Sequence, residues 1–473
     1  MSSLFRVHQS ERGRFRMSIA GRSRLHCVFT TVFWGDWHRD MFLDVNLPTL
    51  LAADNLPALT GDVSCEYLIY TTSKDAARMV RNGAYQRLRS LMPVEIKLFK
   101  PSKTKHPVNL HMDIWRIATE RAQSRGAFIL LMPPDVCWAN GSFTQLRNAL
   151  VAGKRAIFMT YPRVVSETIV PAMQERFPRK ADEAMIIPAP EMMALAITHI
   201  HPLMAAYQRS ASHFPIHPEM VLWPVADDGF LLRLLARELF CFEPGGYPLN
   251  AQALLARMPP LDEVCVFGDA REFLGISLTP LWKDMEWYLA PNRLDPLFIG
   301  RWWVIYDSPA NDHISALNLR FGCGNGDDQA WWRAEQSADV LMTHLRSARE
   351  FCRILETLVR MNHTRAAAFL ASALRVQGLA RRWPHREPFV VLAPTDEAFE
   401  RAGFERLPGD GISAAQIRKM IEAHVAKIPT PGVIAEDQTV TTLTGRKLRL
   451  SKTAAAERCR DNVVLPVQAI EPI

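Results

Sequence analysis

The sequence predicts an α/β protein: a doubly wound, mostly parallel sheet over the first two thirds of the chain and a smaller α+β domain at its end. Three observations carry this. Strand-like and helix-like segments alternate from residue 26 onward, the pattern of a parallel sheet covered by helices. The 473 residues exceed what one core ordinarily holds, at roughly 150–200 residues per domain. Apolar residues make up 48% of the chain and charged residues 22%, the balance of a globular protein with substantial cores.

Residues 1–25 read as a basic, flexible tail, in which Arg6, Arg12, Arg14, Arg16, Arg22 and Arg24 face the single acid Glu11. Such a start suits a frayed terminus first, and also a transit peptide or a contact for anionic surfaces. Cys27 to Trp34 (CVFTTVFW) is rich in β-branched and aromatic residues and stops at Gly35-Asp36, so it is the expected first strand. A helical stretch over Asp40 to Ala53 follows, then the strand Cys65 to Thr71 and a helix opened by Ser73. The alternation continues through strand Val94 to Phe99, helix Leu110 to Arg125, strand Ala127 to Met132, helix Phe143 to Val151 and strand Ala156 to Thr160. In such sheets ligands sit beyond the carboxyl ends of the strands, which directs attention to the segments after Trp34, Thr71 and Met132.

From about Pro188 to Gly326 the pattern loosens, with short strand-like pieces at Glu263 to Phe267 and Trp302 to Tyr306, and this region reads as the acceptor half of the first domain. A polar turn at Gly322 to Asp328 precedes a long helical stretch, Gln336 to Leu358. The seam between a first domain (26–330) and a second (345–473) is expected around 330–350. No repeat period stands out.

Several function classes are disfavoured. No segment approaches the roughly 18–20 apolar residues of a membrane span, and the N-terminus lacks the order of a secretory signal, so the cytoplasm is the expected location. No nucleic-acid-binding motif is present despite the net charge of +7. The eight cysteines (27, 65, 137, 241, 265, 323, 352, 459) form no CxxC and read as reduced core residues. His199 and His201 would share one face of a strand, but no third ligand follows at a telling spacing, so no zinc site is expected. The pairs Trp302-Trp303 and Trp331-Trp332 read as packing before sugar-stacking platforms.

Phe389 to Phe399 (FVVLAPTDEAF) reads as a strand ended by Pro394, with Thr395 able to cap the helix that follows. This stretch, with His424-Val425, Thr441-Thr442-Leu443, Gly445, Leu448 and Asn462 to Pro472 (NVVLPVQAIEP), resembles the fasciclin family over about 345–473. The resemblance implies a binding or adhesion module for protein or glycan, with no catalytic set; the closing motif departs from the family form at Val463 and Leu465-Pro466.

Trp34-Gly35-Asp36, Phe42-Leu43, Leu47 to Leu51, Asn55 to Leu59, Tyr67 to Thr71, Pro133-Pro134-Asp135, Gly141-Ser142-Phe143 and Gly153 to Ala156 resemble bacterial glycosyltransferase-like proteins with a GT-A type sheet, over about 26–310. That resemblance implies a nucleotide-sugar donor, a glycan or protein acceptor, and Mg²⁺ or Mn²⁺ held by carboxylates against the diphosphate. It implies that Asp135 and Asn140 are metal ligands, Asn140 standing where the pattern often carries an Asp. It places Trp34, Gly35 and Asp36 at the base and ribose, and makes Glu167, Asp227 and Asp228 candidates for acceptor contact or general base. The competing reading is a non-enzymatic binding protein on a transferase fold that has lost its metal site.

Overall fold

The computed structural model describes residues 25–101, 106–180, 182–226, 228–236, 239–244, 259–281, 288–290, 294–306, 309–324, 327–361, 366–367, 389–401, 414–428, 438–449, 457–459 and 462–467. The basic tail up to residue 24, Asp227 and the last residues of the closing motif lie outside them.

Seven strands build the main sheet: β1 (His26–Val32), β2 (Ser64–Thr71), β3 (Val94–Leu98), β4 (Phe128–Leu131), β5 (Ala156–Phe158), β6 (Leu239–Phe242) and β7 (Val264–Val266). Their order is β7-β5-β6-β4-β1-β2-β3. All pairings are parallel except those of β6, which runs antiparallel to both β4 and β5. β6 was not among the predicted strands.

Side chains alternate across these strands and so feed two cores, one on each side of the sheet. Cys27, Phe29, Tyr67, Ile69 and Leu130 join one cluster; Val28, Val32, Leu68, Ile129 and Leu131 join the other. The helix Pro107–Ser124 covers the second face with Ile114, Ala118 and Ala122, while Gly83–Leu91 and Ser142–Val151 cover the first with Leu88, Phe143 and Leu146. Each fully buried large apolar side chain contributes about 1.5–3 kcal/mol, so the two-sided burial selects this layered arrangement.

Two smaller sheets extend the second core, the one that holds Val28 and Ile129. Gly275–Thr279 lies between Val136–Trp138, to which it is antiparallel, and Arg163–Val165, to which it is parallel. Gly229–Leu234 lies between Met220–Val225 and Leu319–Gly322. Gly229 is required there: a Cβ at this position would sit 1.9 Å from the Phe321 carbonyl oxygen.

Two expectations need correction. Trp302 to Tyr306 is not a strand: Pro296–Val304 is a helix, capped by the Asp295 carboxylate, which accepts from the Leu297 N–H at 2.9 Å. The long helix begins earlier than predicted and spans Asp328–Arg360. Its Trp331, Ala334, Ala338, Met342 and Leu345 complete the core that also holds Val28 and Ile129, so a boundary at 330 would cut that core.

The C-terminal residues form a four-stranded sheet in which Phe389–Pro394 is central, antiparallel to Val425–Lys427 and parallel to Asn462–Val467. Thr395 Oγ1 accepts from the Ala398 N–H at 3.2 Å at the start of the helix Asp396–Arg401, the strand, turn and cap read from FVVLAPTDEAF. Among the described residues no helix is long and apolar enough to cross a membrane.

Candidate active site

The strand order reverses at β1: β2 and β3 extend the sheet to one side and β4 returns to the other. Loops at such a switch point diverge and leave a crevice beyond the strand ends. A cleft of about 850 Å³ opens there, bounded by Trp34 and His38 after β1, Pro133 to Asp135 after β4, Thr160 and Tyr161 after β5, and the first turns of Pro107–Ser124. Most of its wall is apolar, and the acidic and basic side chains lining it are few: Asp135, Arg163, Glu219, His38 and His111.

Strand register brings the first two of these together. Ser277 pairs with Val136 on one side and Arg163 on the other, and the Leu278 N–H donates to the Asp135 carbonyl at 2.8 Å. Asp135 and Arg163 thus lie at neighbouring positions of two edge strands with Ser277 between them, all three lining the cleft. Glu219 enters from the start of Met220–Val225, its carbonyl held by the N–H groups of Leu235 and Ala236.

Burial raises the Asp135 carboxyl above its ordinary value, opposed by His38, by its own backbone N–H and by Arg163. Burial likewise raises Glu219, opposed chiefly by Arg163. His111 is pushed down to about 4, by burial first and by the neighbouring His38 second, and its ring packs edge-on against Trp115 at 4.3 Å. A cleft holding two acids whose pKa burial raises, with a cation beside both, suits proton transfer next to an anion.

Of the residues singled out from the sequence, Trp34 and Asp135 line this cleft. Gly35 makes the turn behind Trp34, with φ +86° and its N–H donating to Asp75 Oδ2 at 3.1 Å. Asp36 points to a cationic surface formed by Arg39, Lys74 and Arg78, and hydrogen bonds from Arg39 and Lys74 lower its pKa. Asp75, 1% exposed, is the acid that organises this turn: it binds Gly35, Arg39 and Thr72.

Asn140 is not brought to Asp135. Its side chain donates to Asp54 Oδ2 at 2.7 Å and accepts from the Asp54 N–H, and it does not line the cleft. Glu167 accepts from the Leu281 N–H at 3.0 Å and from Ser166 Oγ. Burial pushes it up, but these bonds and its own backbone N–H hold it below the ordinary value. Asp228, 4% exposed, accepts from the Trp331 indole N–H at 2.9 Å and also lies outside the cleft wall. His199 bonds Thr168 and His201 bonds the Pro280 carbonyl; Trp303 is fully buried beneath Arg349. Sequence reading missed Arg163, Glu219, His38 and His111; Arg163 and His38 lie just beyond predicted strands, whereas nothing local marked Glu219 or His111.

No family profile and no curated protein matches the chain. Among solved structures, S. aureus TarS is similar at 9% identity over 30% of this chain and 22% of that one, with a TM-score of 0.21. The chain therefore spans about a fifth of the TarS length. The mannosyltransferase PcManGT from Pyrobaculum calidifontis, in complex with GDP-Man and Mn²⁺, is similar at 12% identity over 76% of this chain and 83% of that one, with a TM-score of 0.26. Similarity this low carries no argument about the chemistry of this chain, which rests on its own cleft.

Proposed function

We propose that the chain is a glycosyltransferase-type enzyme that takes a nucleotide-sugar donor in the β1/β4 cleft, with its C-terminal segment serving as a fasciclin-like docking module for a protein or glycan. The observation that carries this reading is the position of Asp135: it follows β4 and faces a cleft at the switch point, where nucleotides bind in open α/β sheets. Trp34 offers its ring to the base at the end of β1. Glu219, whose pKa burial raises above the ordinary carboxylate value, is the group we assign to accept, as the carboxylate, the proton of the acceptor hydroxyl. The acceptor oxygen then bonds the anomeric carbon, whose bond to the diphosphate breaks, and the diphosphate leaves with the electron pair.

The implied divalent cation fits this site poorly. Among the described residues no group of three His, Cys, Asp or Glu gathers to hold a metal, Asn140 is committed to Asp54, and the Arg163 guanidinium stands beside Asp135.

The test is a thermal-shift screen of the full chain against UDP-, GDP-, CMP- and dTDP-sugars, followed by assay of nucleoside diphosphate release. A ligand at 100 times its Kd stabilises the folded state by about 2.7 kcal/mol, a readily visible shift. Stabilisation by one nucleotide class with release of its diphosphate supports the reading. Binding without release in the presence of candidate acceptors favours the non-enzymatic protein, and no stabilisation by any class overturns the donor assignment.

A further inference from the structure

We propose that Arg163 holds the donor diphosphate, in the place where the resemblance implied a metal ion. The inference rests on the nucleotide-sugar reading above and names the group that would neutralise the leaving anion. Arg163 opens the edge strand Arg163–Val165 and lines the cleft with Ser277 and Asp135. Only its backbone carbonyl is engaged, by the His201 N–H at 2.9 Å; among the described residues its guanidinium makes no ion pair. Other arginines of the chain are paired, as buried Arg39 is with three aspartates and half-buried Arg155 with two glutamates. Asp135 and Glu219 are its anionic neighbours, but neither closes an ion pair with Arg163, so the planar fork stays available to phosphate oxygens, which it matches in a bidentate manner. The charge that develops on the departing diphosphate is then met by a fixed cation already in place.

The two accounts of the cleft differ over Asp135. If a metal bridged Asp135 to the diphosphate, removing the carboxylate charge would abolish binding. If Arg163 holds the diphosphate directly, Asp135 is a competing anion beside it, and removing its charge leaves binding intact or strengthens it.

The experiment is calorimetric titration of the full chain with UDP, GDP, CDP, dTDP and inorganic pyrophosphate, in EDTA and in Mn²⁺. We expect one nucleoside diphosphate to bind in EDTA within about threefold of its affinity in Mn²⁺, and Arg163→Gln to weaken it by at least roughly tenfold. Arg163→Lys, which keeps the charge without the fork, should recover part of that loss, and Asp135→Asn should bind at least as tightly as the wild type. Circular dichroism confirms that each variant is folded; if Arg163→Gln is not, Arg163→Lys with undiminished affinity in EDTA would overturn the bidentate role. Binding that requires Mn²⁺ and is lost in Asp135→Asn overturns the inference and keeps the donor reading. Pyrophosphate binding that depends on Arg163, with no nucleoside diphosphate bound, keeps the anion site and refutes the donor. No binding of any of these anions overturns both.

Discussion

Replacing Asp228 by Ala separates a structural acid from a catalytic one. Asp228 sits just before Gly229–Leu234, at 4% exposure. Its Oδ2 accepts from the Trp331 indole N–H at 2.9 Å, Cys323 Sγ lies 3.3 Å from Oδ1, and its carbonyl accepts from the Cys323 N–H at 2.9 Å. It thereby ties the turn after Met220–Val225 to the helix Asp328–Arg360. A hydrogen bond to a charged acceptor contributes about 1.5–3 kcal/mol, and a buried donor left unsatisfied costs about 1–3 kcal/mol. Trp331 is 6% exposed and has little access to water as a substitute. Asp228→Ala should therefore cost about 2–4 kcal/mol, and Asp228→Asn, which keeps an acceptor, about half of that. With a urea slope of about 3 kcal/mol per molar, the Ala variant shifts the unfolding midpoint down by roughly 1 M. The assay pairs urea denaturation, followed by tryptophan fluorescence, with nucleotide titration at a temperature where both proteins are folded. Affinity should change by less than about twofold, since Asp228 does not face the cleft. An unchanged urea midpoint with turnover abolished would refute this reasoning and return Asp228 to the role of general base.

Three further outcomes follow from the same geometry. His111 titrates near 4 in the folded chain against about 6.5 unfolded, so the unfolded state takes up the proton first and stability falls as pH drops from about 6.5 towards 4. Allowing for its partial exposure the loss is about 2–3 kcal/mol; His111→Gln should flatten the melting temperature profile across that window, and a profile parallel to wild type would count against it. Glu219 has the opposite sign: its raised carboxyl pKa means that stability falls as pH rises through the folded value. Glu219→Gln should melt higher than wild type at pH 7.5, bind nucleotide normally and lose turnover, whereas full turnover would remove Glu219 as the base. Gly229→Ala drives a Cβ to 1.9 Å from the Phe321 carbonyl and should cost more than about 3 kcal/mol; a melting temperature equal to wild type would show that the pairing with Leu319–Gly322 is misplaced.

The sequence by itself determined the layered part of this protein. Runs such as Cys27 to Trp34 and Cys65 to Thr71 can bury both faces only inside a covered sheet, and their alternation with amphipathic helices dictates parallel neighbours. Asp295-Pro296 and Thr395 are local capping signals as well, though the first was overlooked because Trp302 to Tyr306 is apolar enough to suit either a strand or a helix. Tertiary structure decided the rest. β6 enters antiparallel between β4 and β5, with Phe240 in one core and Phe242 in the other, a choice no local pattern records. The helix Asp328–Arg360 continues past the expected seam because its apolar stripe finishes the core that holds Val28 and Ile129. Asn140 turns to Asp54, while Arg163, distant in sequence, is carried to Asp135 by pairing across Ser277. A site made by register between strands has no signature within any one of them, since each strand fixes only the direction of its own side chains.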